Sequence, residues 1–193
     1  NLGPFRLAVP GIHNVSNALV AIAIGIELEI PVDLIRKGLA AFTGVERRFH
    51  LRGEAGGIMV VDDYGHHPTE VKATLAAAKQ GWDRRLVVLF QPHRYSRTRD
   101  CIGEFADAFA HADVLFMTEI YPAGESPIPG VSGAALAETI KSAGHPSVTF
   151  LERKETLPDQ VLPHLRPGDL VLTLGAGDIW KAGTEILARL ESA

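Results

Sequence analysis

Imidazole and guanidinium side chains are concentrated in two short polar segments of this 193-residue chain. The segments are DYGHHPTE at 63–70 and QPHRYSRT at 91–98, and each follows an apolar run that is typical of a buried strand. They contain three of the eight histidines and two arginines: His66, His67, His93, Arg94 and Arg97. A guanidinium offers a planar fork of donors that matches a carboxylate or a phosphate. The two segments therefore predict a binding site for an anionic ligand.

Arg94 and Arg97 lie three residues apart at the predicted start of a helix. The N-terminus of a helix adds free N–H groups and a partial positive charge, which also favour an anion. In the structural alternative, both arginines are solvated or are paired with Asp62, Asp63 or Glu125. The residue types favour ligand binding, and both interpretations stay open.

The histidines also raise the question of a metal site, because imidazole and carboxylate are ligands that suit zinc. The candidates are His66, His67 and His93, together with Asp62 or Asp63. Adjacent residues such as the first two seldom both point at one ion, and no cysteine lies near them. We therefore predict no metal site in these segments.

The first segment also carries the signature of a helix start. Pro68 suits the first turn of a helix, and Glu70 suits the partial positive charge at its N-terminus. His67 then stands at the capping position. We predict a structural role for His67 at this cap.

Two asparagines, Asn14 and Asn17, stand three residues apart near the start of an apolar helix and therefore on one face of it. Their amides both donate and accept hydrogen bonds, as purine recognition requires. The alternative is that Asn14 caps the helix and Asn17 is a satisfied buried amide. The residues alone favour this alternative slightly.

Nucleotide-binding glycine motifs are incomplete or absent in the sequence. GAGD at 175–178 begins like the dinucleotide fingerprint G-x-G-x-x-G but lacks its third glycine, and it follows the last predicted strand rather than the first. The phosphate-binding pattern G-x-x-x-x-G-K-[ST] does not occur. We expect the GAGD glycines to form a tight turn that exposes backbone amides at the edge of a sheet.

The elements that must position these residues alternate along the chain. A hairpin around Ala55-Gly56-Gly57 leads into a buried strand, and further strand-like runs lie at 86–90, 113–117, 147–151 and 170–174. Helical patterns separate or follow them at 68–80, 98–111, 131–143, 155–165 and 178–191. This alternation predicts an α/β domain over 47–193 with a Rossmann-like, doubly wound and mostly parallel sheet. Ligands of such sheets bind beyond the carboxyl ends of the strands, where the polar segments fall.

The first 46 residues have a different texture. Residues 14–28 are apolar on nearly every face, which predicts a helix that is buried all round. Pro31 opens a second, amphipathic helix, and the texture changes near 44–49. We predict a helical unit over 1–46 and a domain boundary at its end.

Composition excludes several classes of protein. The net charge of −4 argues against a general nucleic-acid binder, which needs a basic surface. The longest apolar run, Ala18–Ile26, is well short of the roughly 20 residues that a membrane-spanning helix needs. The single cysteine, Cys101, fits a reducing compartment. We expect a cytoplasmic protein without membrane insertion, and the missing initiator Met suggests a portion of a longer chain.

Six strings, taken in order, resemble the C-terminal part of the Mur ligases: GIHNVSNAL, FTGVERRFHLRGE, VVDDYGHHPTEV, FQPHRYSRT, IYPAGE and TLGAGDIW. The resemblance extends over essentially the whole chain. It implies that residues 1–46 form the helical end of a central ATP-binding domain, and that 47–193 form the C-terminal Rossmann-like domain. The ATP-binding loop and the Mg²⁺ ligands of the family would lie upstream.

The resemblance implies an ATP-dependent carboxylate–amine ligase. The strings are most similar to those of members that join L-alanine to the lactoyl carboxylate of UDP-N-acetylmuramate through an acyl phosphate, in peptidoglycan precursor synthesis. We expect these 193 residues alone to be inactive. The alternatives are a recycling ligase that adds a murein tripeptide to the same nucleotide sugar, or a non-catalytic α/β module that binds a nucleotide or anion.

The resemblance also assigns roles to individual residues, and it changes our interpretation of the two asparagines from structural to functional. It implies that ATP is bound by Asn14, Asn17, Arg48 and Asp63. It implies that the amino-acid substrate or adjacent groups are bound by Tyr64, His66, His93, Arg94 and Arg97. Arg48, His66 and His93 are the implied catalytic residues, and residues 44–49 are the implied hinge.

Overall fold

The computed structural model describes residues 2–9 and 11–192, apart from the side chain of residue 13. The helices are α1 (Ile12–Glu27), α2 (Val32–Ala41), α3 (Pro68–Gly81), α4 (Tyr95–Asp100), α5 (Ile102–Phe105), α6 (Gly133–Ser142), α7 (Leu157–Val161) and α8 (Trp180–Glu191). The strands are β1 (His50–Ala55), β2 (Ile58–Asp63), β3 (Arg85–Phe90), β4 (Val114–Thr118), β5 (Val148–Leu151) and β6 (Asp169–Leu174).

The six strands form one sheet in the order β1-β2-β6-β3-β4-β5. β1 pairs antiparallel with β2 at one edge, and the other neighbours are parallel. Gly56 and Gly57 both adopt positive φ in the β1–β2 turn, as a tight two-residue hairpin turn requires. The predicted mostly parallel α/β sheet is confirmed.

Helices cover both faces of the sheet. Alternate side chains of each strand point to opposite faces, so each strand packs against helices on both sides. On one face, Val88 and Phe90 of β3 pack in a cluster with residues of α3, α5 and α6. On the other face, Val87 and Leu89 pack in a cluster with residues of α7 and α8. Strands buried on both faces explain the continuous apolar runs in the sequence.

Two predicted helices are shorter than their sequence pattern indicated. The pattern over 98–111 corresponds to α4 and α5, with turns in place of a helix after Phe105. The pattern over 155–165 corresponds to α7 between two 3₁₀ turns, Lys154–Thr156 and Leu162–His164. Pro163 has no N–H to donate, which accounts for the end of α7 just before it.

The prediction that the first helix is buried all round is wrong. α1 packs against α2 where Gly25 meets Ile35, since a Cβ at Gly25 would lie 2.7 Å from Cδ1 of Ile35. Elsewhere on α1 the large apolar side chains of Ile12, Leu19 and Val20 are exposed by 75%, 61% and 59%. The apolar residues on nearly every face of this helix predicted that all of its faces are covered, but the described part of the chain does not cover these side chains.

Candidate functional site

A cavity of about 720 Å³ lies between the N-terminal helices and the α/β domain. This volume falls within the roughly 300–1,000 Å³ that is usual for small-molecule sites. The four residues predicted to bind ATP all line it: Asn14, Asn17, Arg48 and Asp63. The tertiary structure therefore brings together side chains that are up to 49 positions apart in the chain.

The two asparagines lie on the cavity side of α1. Nδ2 of Asn17 donates to Oδ1 of Asn14 at 3.5 Å, and Asn17 is exposed. The N-cap of α1 is Gly11. The alternative that made Asn14 the N-cap and Asn17 a buried amide is therefore wrong.

Asp63 ends β2 and is almost completely buried. Its carboxylate accepts hydrogen bonds from the backbone N–H groups of Gly65 and Phe49, both at 2.7 Å, and from Oγ1 of Thr74 at 3.3 Å. Burial raises the pKa of Asp63 despite these hydrogen bonds and the nearby charge of Arg48. Asp63 thus ties the segment 44–49, which links the N-terminal helices to the sheet, to the end of β2 while it faces the cavity.

The linking segment 44–49 is strained and is anchored by an arginine that the sequence did not single out. Arg47 and Phe49 have φ of 60° and 45°, a region that non-glycine residues seldom adopt. The Arg47 guanidinium donates to Asp62 at 3.2 Å and to the carbonyl of Gly175 at 2.6 Å. Asp62, offered above as a partner for Arg94 or Arg97, pairs instead with Arg47.

Tyr64 lies against both cations of the linking segment. The Arg47 guanidinium is 4.9 Å and the Arg48 guanidinium 5.7 Å from the centre of its ring. Tyr64 also packs edge-on against the ring of His66, with centroids 5.4 Å apart. Tyr64 therefore joins the residues at the cavity to the histidines of the polar segments.

The predicted structural role of His67 is confirmed. His67 is the N-cap of α3, and its ring accepts a hydrogen bond from the backbone N–H of Thr69. Glu70 completes a capping box by accepting from the N–H groups of His66 and His67 at 3.0 and 3.1 Å. Burial opposes ionisation of Glu70, but these hydrogen bonds and nearby cations lower its pKa. Glu70 also lines the cavity, so it links the cavity to the loop that carries His66 and His67.

His66 and His93 come from different loops and meet with ring centroids 5.3 Å apart. Nδ1 of His66 lies 3.0 Å from the carbonyl of Tyr64, and donation through this atom leaves Nε2 as the ring's acceptor. Burial and the nearby charges of Arg97 and Arg48 lower the pKa of His66. His66 is therefore neutral near pH 7.

His93 is held more firmly in the neutral state. Its ring stacks on Tyr121 at 5.6 Å, and its Nδ1 accepts a hydrogen bond from Arg97 at 3.2 Å. Burial, His66 and the charges of Arg97 and Arg94 lower the pKa of His93 to about 4. Arg97 is thus partly committed to His93 rather than to an acidic side chain.

The pKa of His93 gives a direct test of this arrangement. In an NMR pH titration of the chain, with the resonance assigned by His93→Gln, we expect a midpoint of about 4. Arg97→Met removes both the donor and one nearby charge, so we expect the midpoint to rise, while burial and His66 still keep it below 6.5. Arg99→Met is the matched control, because Arg99 is an exposed arginine of the same helix that pairs with Asp100. Equal midpoints in the two variants would contradict the assigned contact.

The same shift predicts a pH dependence of stability. The folded pKa of His93 is lowered to about 4, whereas the unfolded chain titrates near 6.5. Between these values the unfolded state binds more protons, so the contribution of His93 to stability is complete above pH 6.5 and is lost as the pH falls toward 4.

Arg94 differs from Arg97 in its surroundings. Its backbone has φ of 73°, at the N-cap of α4, and its side chain is exposed. Among the described residues, no hydrogen-bond partner is found for its guanidinium. The exposed guanidinium lies near the neutral imidazole of His93, and the surroundings of Arg94 fit both alternatives of the sequence analysis, a solvated arginine or an arginine that binds an anion.

The turn 175–178 closes the same edge of the sheet. A Cβ at Gly177 would lie 2.4 Å from Oε1 of Gln91 and 2.8 Å from the ring of Tyr121, so only glycine fits there. Oε1 of Gln91 accepts from the N–H of Asp178 at 3.1 Å. The predicted tight turn is confirmed, and it packs the loops after β3, β4 and β6 together. The prediction that it exposes its backbone amides is wrong for Gly175 and Asp178, whose N–H groups donate to the carbonyl of Asp63 and to Gln91.

The described residues contain neither a cluster of metal ligands nor a membrane-spanning helix. Within 2–9 and 11–192 there is no group of three or more His, Cys, Asp or Glu side chains that could hold a metal ion. None of the helices in these ranges is long and apolar enough to cross a membrane.

Residues 47–177 match the family described as "Mur ligase, glutamate ligase domain". The chain belongs to the Mur ligase family. It is 55% identical over 193 residues to the UDP-N-acetylmuramate–L-alanine ligase of Geobacter sulfurreducens, an alignment that covers 100% of this chain and 42% of that relative. The chain therefore spans about two fifths of the length of the curated relatives it matches.

Solved structures of other Mur ligases have the same fold. The UDP-N-acetylmuramate–alanine ligase of Thermotoga maritima superimposes with a TM-score of 0.83 at 32% identity, over 97% of this chain and 40% of that one. The murein peptide ligase of Psychrobacter arcticus gives 0.71 at 28% identity, over 98% and 39%. The Mur ligase resemblance of the sequence is confirmed.

Sequence reasoning missed two residues that organise this site, Arg47 and Tyr121. It also gave Glu125 the wrong partner, since the Glu125 carboxylate accepts from the N–H and the hydroxyl of Ser96. Arg47 stands beside Arg48 in the string ERRFH, and only the antiparallel β1–β2 hairpin shows which of the two cations faces Asp62. The sequence carries no local signal for the other two contacts.

Proposed function

We propose that this chain is the C-terminal part of an ATP-dependent ligase that joins L-alanine to the lactoyl carboxylate of UDP-N-acetylmuramate. Residues 1–46 belong to its ATP-binding domain, and 47–193 form the domain that binds the amino acid. The reaction takes place in the cytoplasm, as a step of peptidoglycan precursor synthesis.

One observation carries this proposal: a cavity lined by Asn14, Asn17, Arg48 and Asp63 adjoins a basic site at the carboxyl edge of the sheet. Glu70 contributes to both, because it lines the cavity and holds the backbone of His66. A nucleotide phosphate and an amino-acid carboxylate could thus be bound side by side. The 55% identity to a relative named UDP-N-acetylmuramate–L-alanine ligase supports L-alanine as the amino acid.

The reaction has two steps. ATP transfers its γ-phosphoryl group to a carboxylate oxygen of UDP-N-acetylmuramate, which gives an acyl phosphate and ADP. The amine of L-alanine then attacks the acyl carbon, the C–N bond forms, and the C–O bond to phosphate breaks. The nitrogen loses a proton, and inorganic phosphate leaves. Such chemistry depends on positioning and charge neutralisation rather than on a protein nucleophile.

Within this scheme the nucleotide is bound by groups that line the cavity. The amides of Asn14 and Asn17 offer donors and acceptors to the base. Asp63 already accepts three hydrogen bonds, and an ionised carboxylate has about four acceptor positions, so one stays available for a ribose hydroxyl. Arg48, 57% exposed and 4.0 Å from Glu70, supplies positive charge at the junction with the amino-acid site.

The amino acid is bound at the second site. Arg94 and Arg97 neutralise its carboxylate, and Tyr64 supports the ring of His66. Attack requires a neutral amine, and the lowered pKa of His66 keeps its imidazole in the form that accepts a proton. His93, whose pKa is about 4, is neutral for the same reason.

Mg²⁺ is the metal that this ATP chemistry uses. The described residues contain no cluster of three or more His, Cys, Asp or Glu side chains to hold it, so no step is assigned to a metal on this chain. Its ligands would lie in the part of the ligase outside these 193 residues.

The experiment is a ligation assay on the full-length ligase that contains this chain. ATP, UDP-N-acetylmuramate and L-alanine should give ADP, phosphate and a product with the mass of the amide. A murein tripeptide in place of L-alanine should give none, whereas product with the tripeptide alone would support the recycling ligase. The absence of product with either amine would support the alternative of a non-catalytic binding module. The 193-residue chain is the matched control, and we expect it to be inactive because it lacks the phosphate-binding loop pattern.

A further inference from the structure

The short helix α4 carries Arg97 and begins directly after Arg94. It spans six residues and has no side-chain cap from its own N-cap residue. A helix this short leaves most of its N-terminal N–H groups without a partner inside the helix. The direction of both arginines therefore depends on what holds this N-terminus.

A carboxylate from another loop supplies the missing cap. Oε2 of Glu125 accepts from the backbone N–H of Ser96 at 2.9 Å, and Oε1 accepts from the Ser96 hydroxyl at 2.6 Å. These hydrogen bonds, opposed by a small effect of burial, lower the pKa of Glu125 and keep it ionised. A negative charge at this end of a helix is also favoured by the helix dipole.

The loop that carries Glu125 is built to present it. Glu125 donates its backbone N–H to the carbonyl of Pro122 at 3.0 Å, and Ala123 and Gly124 both adopt positive φ in the turn. The start of this loop is joined to the loop that carries Arg94 by two backbone hydrogen bonds. Arg94 donates to Tyr121 at 2.9 Å, and Tyr121 donates to Pro92 at 2.8 Å.

We propose that Glu125 is a positioning residue for the amino-acid site: it caps α4 from the neighbouring loop and so orients Arg94 and Arg97 toward the carboxylate of the incoming amino acid. This inference rests on the proposed function. Both oxygens of Glu125 are hydrogen-bonded to Ser96, so it acts on the site chiefly through the helix, and its charge also acts on Arg94. Its charge opposes an anionic substrate, so capping and not attraction is its contribution.

The test uses three variants of the full-length ligase. Glu125→Ala removes the cap, and Glu125→Gln removes the charge but keeps an oxygen that accepts from the Ser96 N–H. Glu119→Ala is the matched control. Glu119 lies on the same loop and accepts from the N–H of Gly133, the first residue of α6, at 2.8 Å. α6 carries none of the predicted site residues.

We expect Glu125→Ala to raise the KM for L-alanine about tenfold, as the loss of a helix cap of typical strength would. The kcat and the KM for ATP should change little, and Glu125→Gln should recover most of the affinity for L-alanine. Glu119→Ala should leave the KM for L-alanine unchanged. An unchanged KM in Glu125→Ala, an equal rise in Glu119→Ala, or a parallel rise in the KM for ATP would overturn the proposal.

A second measurement separates this inference from the proposed function. Amide hydrogen exchange of the full-length protein needs no substrate, and Glu125→Ala should speed exchange within 96–101 more than Glu119→Ala does. Unchanged exchange there would overturn the capping role even in an active ligase. Absence of L-alanine ligation by the wild-type enzyme would instead overturn the proposed function.

Discussion

Replacement of Asp63 by alanine is expected to lower the free energy of unfolding by about 3 kcal/mol, because buried donors that lose their acceptor cost about 1–3 kcal/mol each. Three donors depend on this carboxylate: the N–H groups of Gly65 and Phe49 and the hydroxyl of Thr74. Burial raises the pKa of Asp63, so relief from burying a charge offsets part of the loss. Urea unfolding of the chain measures the change.

Two further variants control for the nature of this effect. Thr74→Val removes only the 3.3 Å hydrogen bond and should cost about 1 kcal/mol. Asp83→Ala removes an exposed carboxylate and should stay within about 0.5 kcal/mol of the parent. If Asp63→Ala unfolded at the same urea concentration as Asp83→Ala, the hydrogen bonds of Asp63 would make no measurable contribution to the free energy of unfolding.

Replacement of Arg94 by alanine in the full-length ligase is expected to reduce kcat/KM for L-alanine about 30-fold, which corresponds to about 2 kcal/mol for a carboxylate that loses a charged partner. The physical reason is that the Arg94 guanidinium makes no hydrogen bond within the described residues, whereas Arg97 is hydrogen-bonded to His93. Steady-state kinetics with varied L-alanine measure the effect.

Two control variants accompany Arg94→Ala: one keeps the positive charge at position 94, and the other removes a different arginine of α4. Arg94→Lys retains the charge but not the planar fork, and we expect an intermediate loss. Arg99→Ala removes an exposed arginine of the same helix that is paired with Asp100, and its kinetics should match those of the wild type. Wild-type kinetics in Arg94→Ala would remove Arg94 from the amino-acid site.

Much of the fold could be predicted because its signals are local. Apolar runs of strand length alternate with helical patterns, and a parallel sheet follows from that alternation. Pro68 and Glu70 indicated the start of α3 and the capping role of His67, since helix-start chemistry spans only a few residues. The carboxyl ends of parallel strands share one edge, which placed His66 and His93 together.

Side-chain pairing could not be predicted in the same way. Asp62 was a candidate partner for Arg94 or Arg97, but the hairpin brings Arg47 to it at 3.2 Å. Glu125 was a candidate partner for the same arginines, but it binds Ser96. Opposite charges attract at any sequence separation, so composition shows which residues carry charge but not which of them meet.

The parallel sheet, the polar loops at its carboxyl edge and the resemblance to the Mur ligases could be read from the sequence, because each depends on residue order over short stretches. The shared cavity of Asn14, Asn17, Arg48 and Asp63 became visible in the folded chain alone. The same holds for the exposed apolar face of α1 and for the cap that Glu125 forms on α4. These features depend on the path of the backbone between distant segments, which sets distances of a few ångströms that no local pattern encodes.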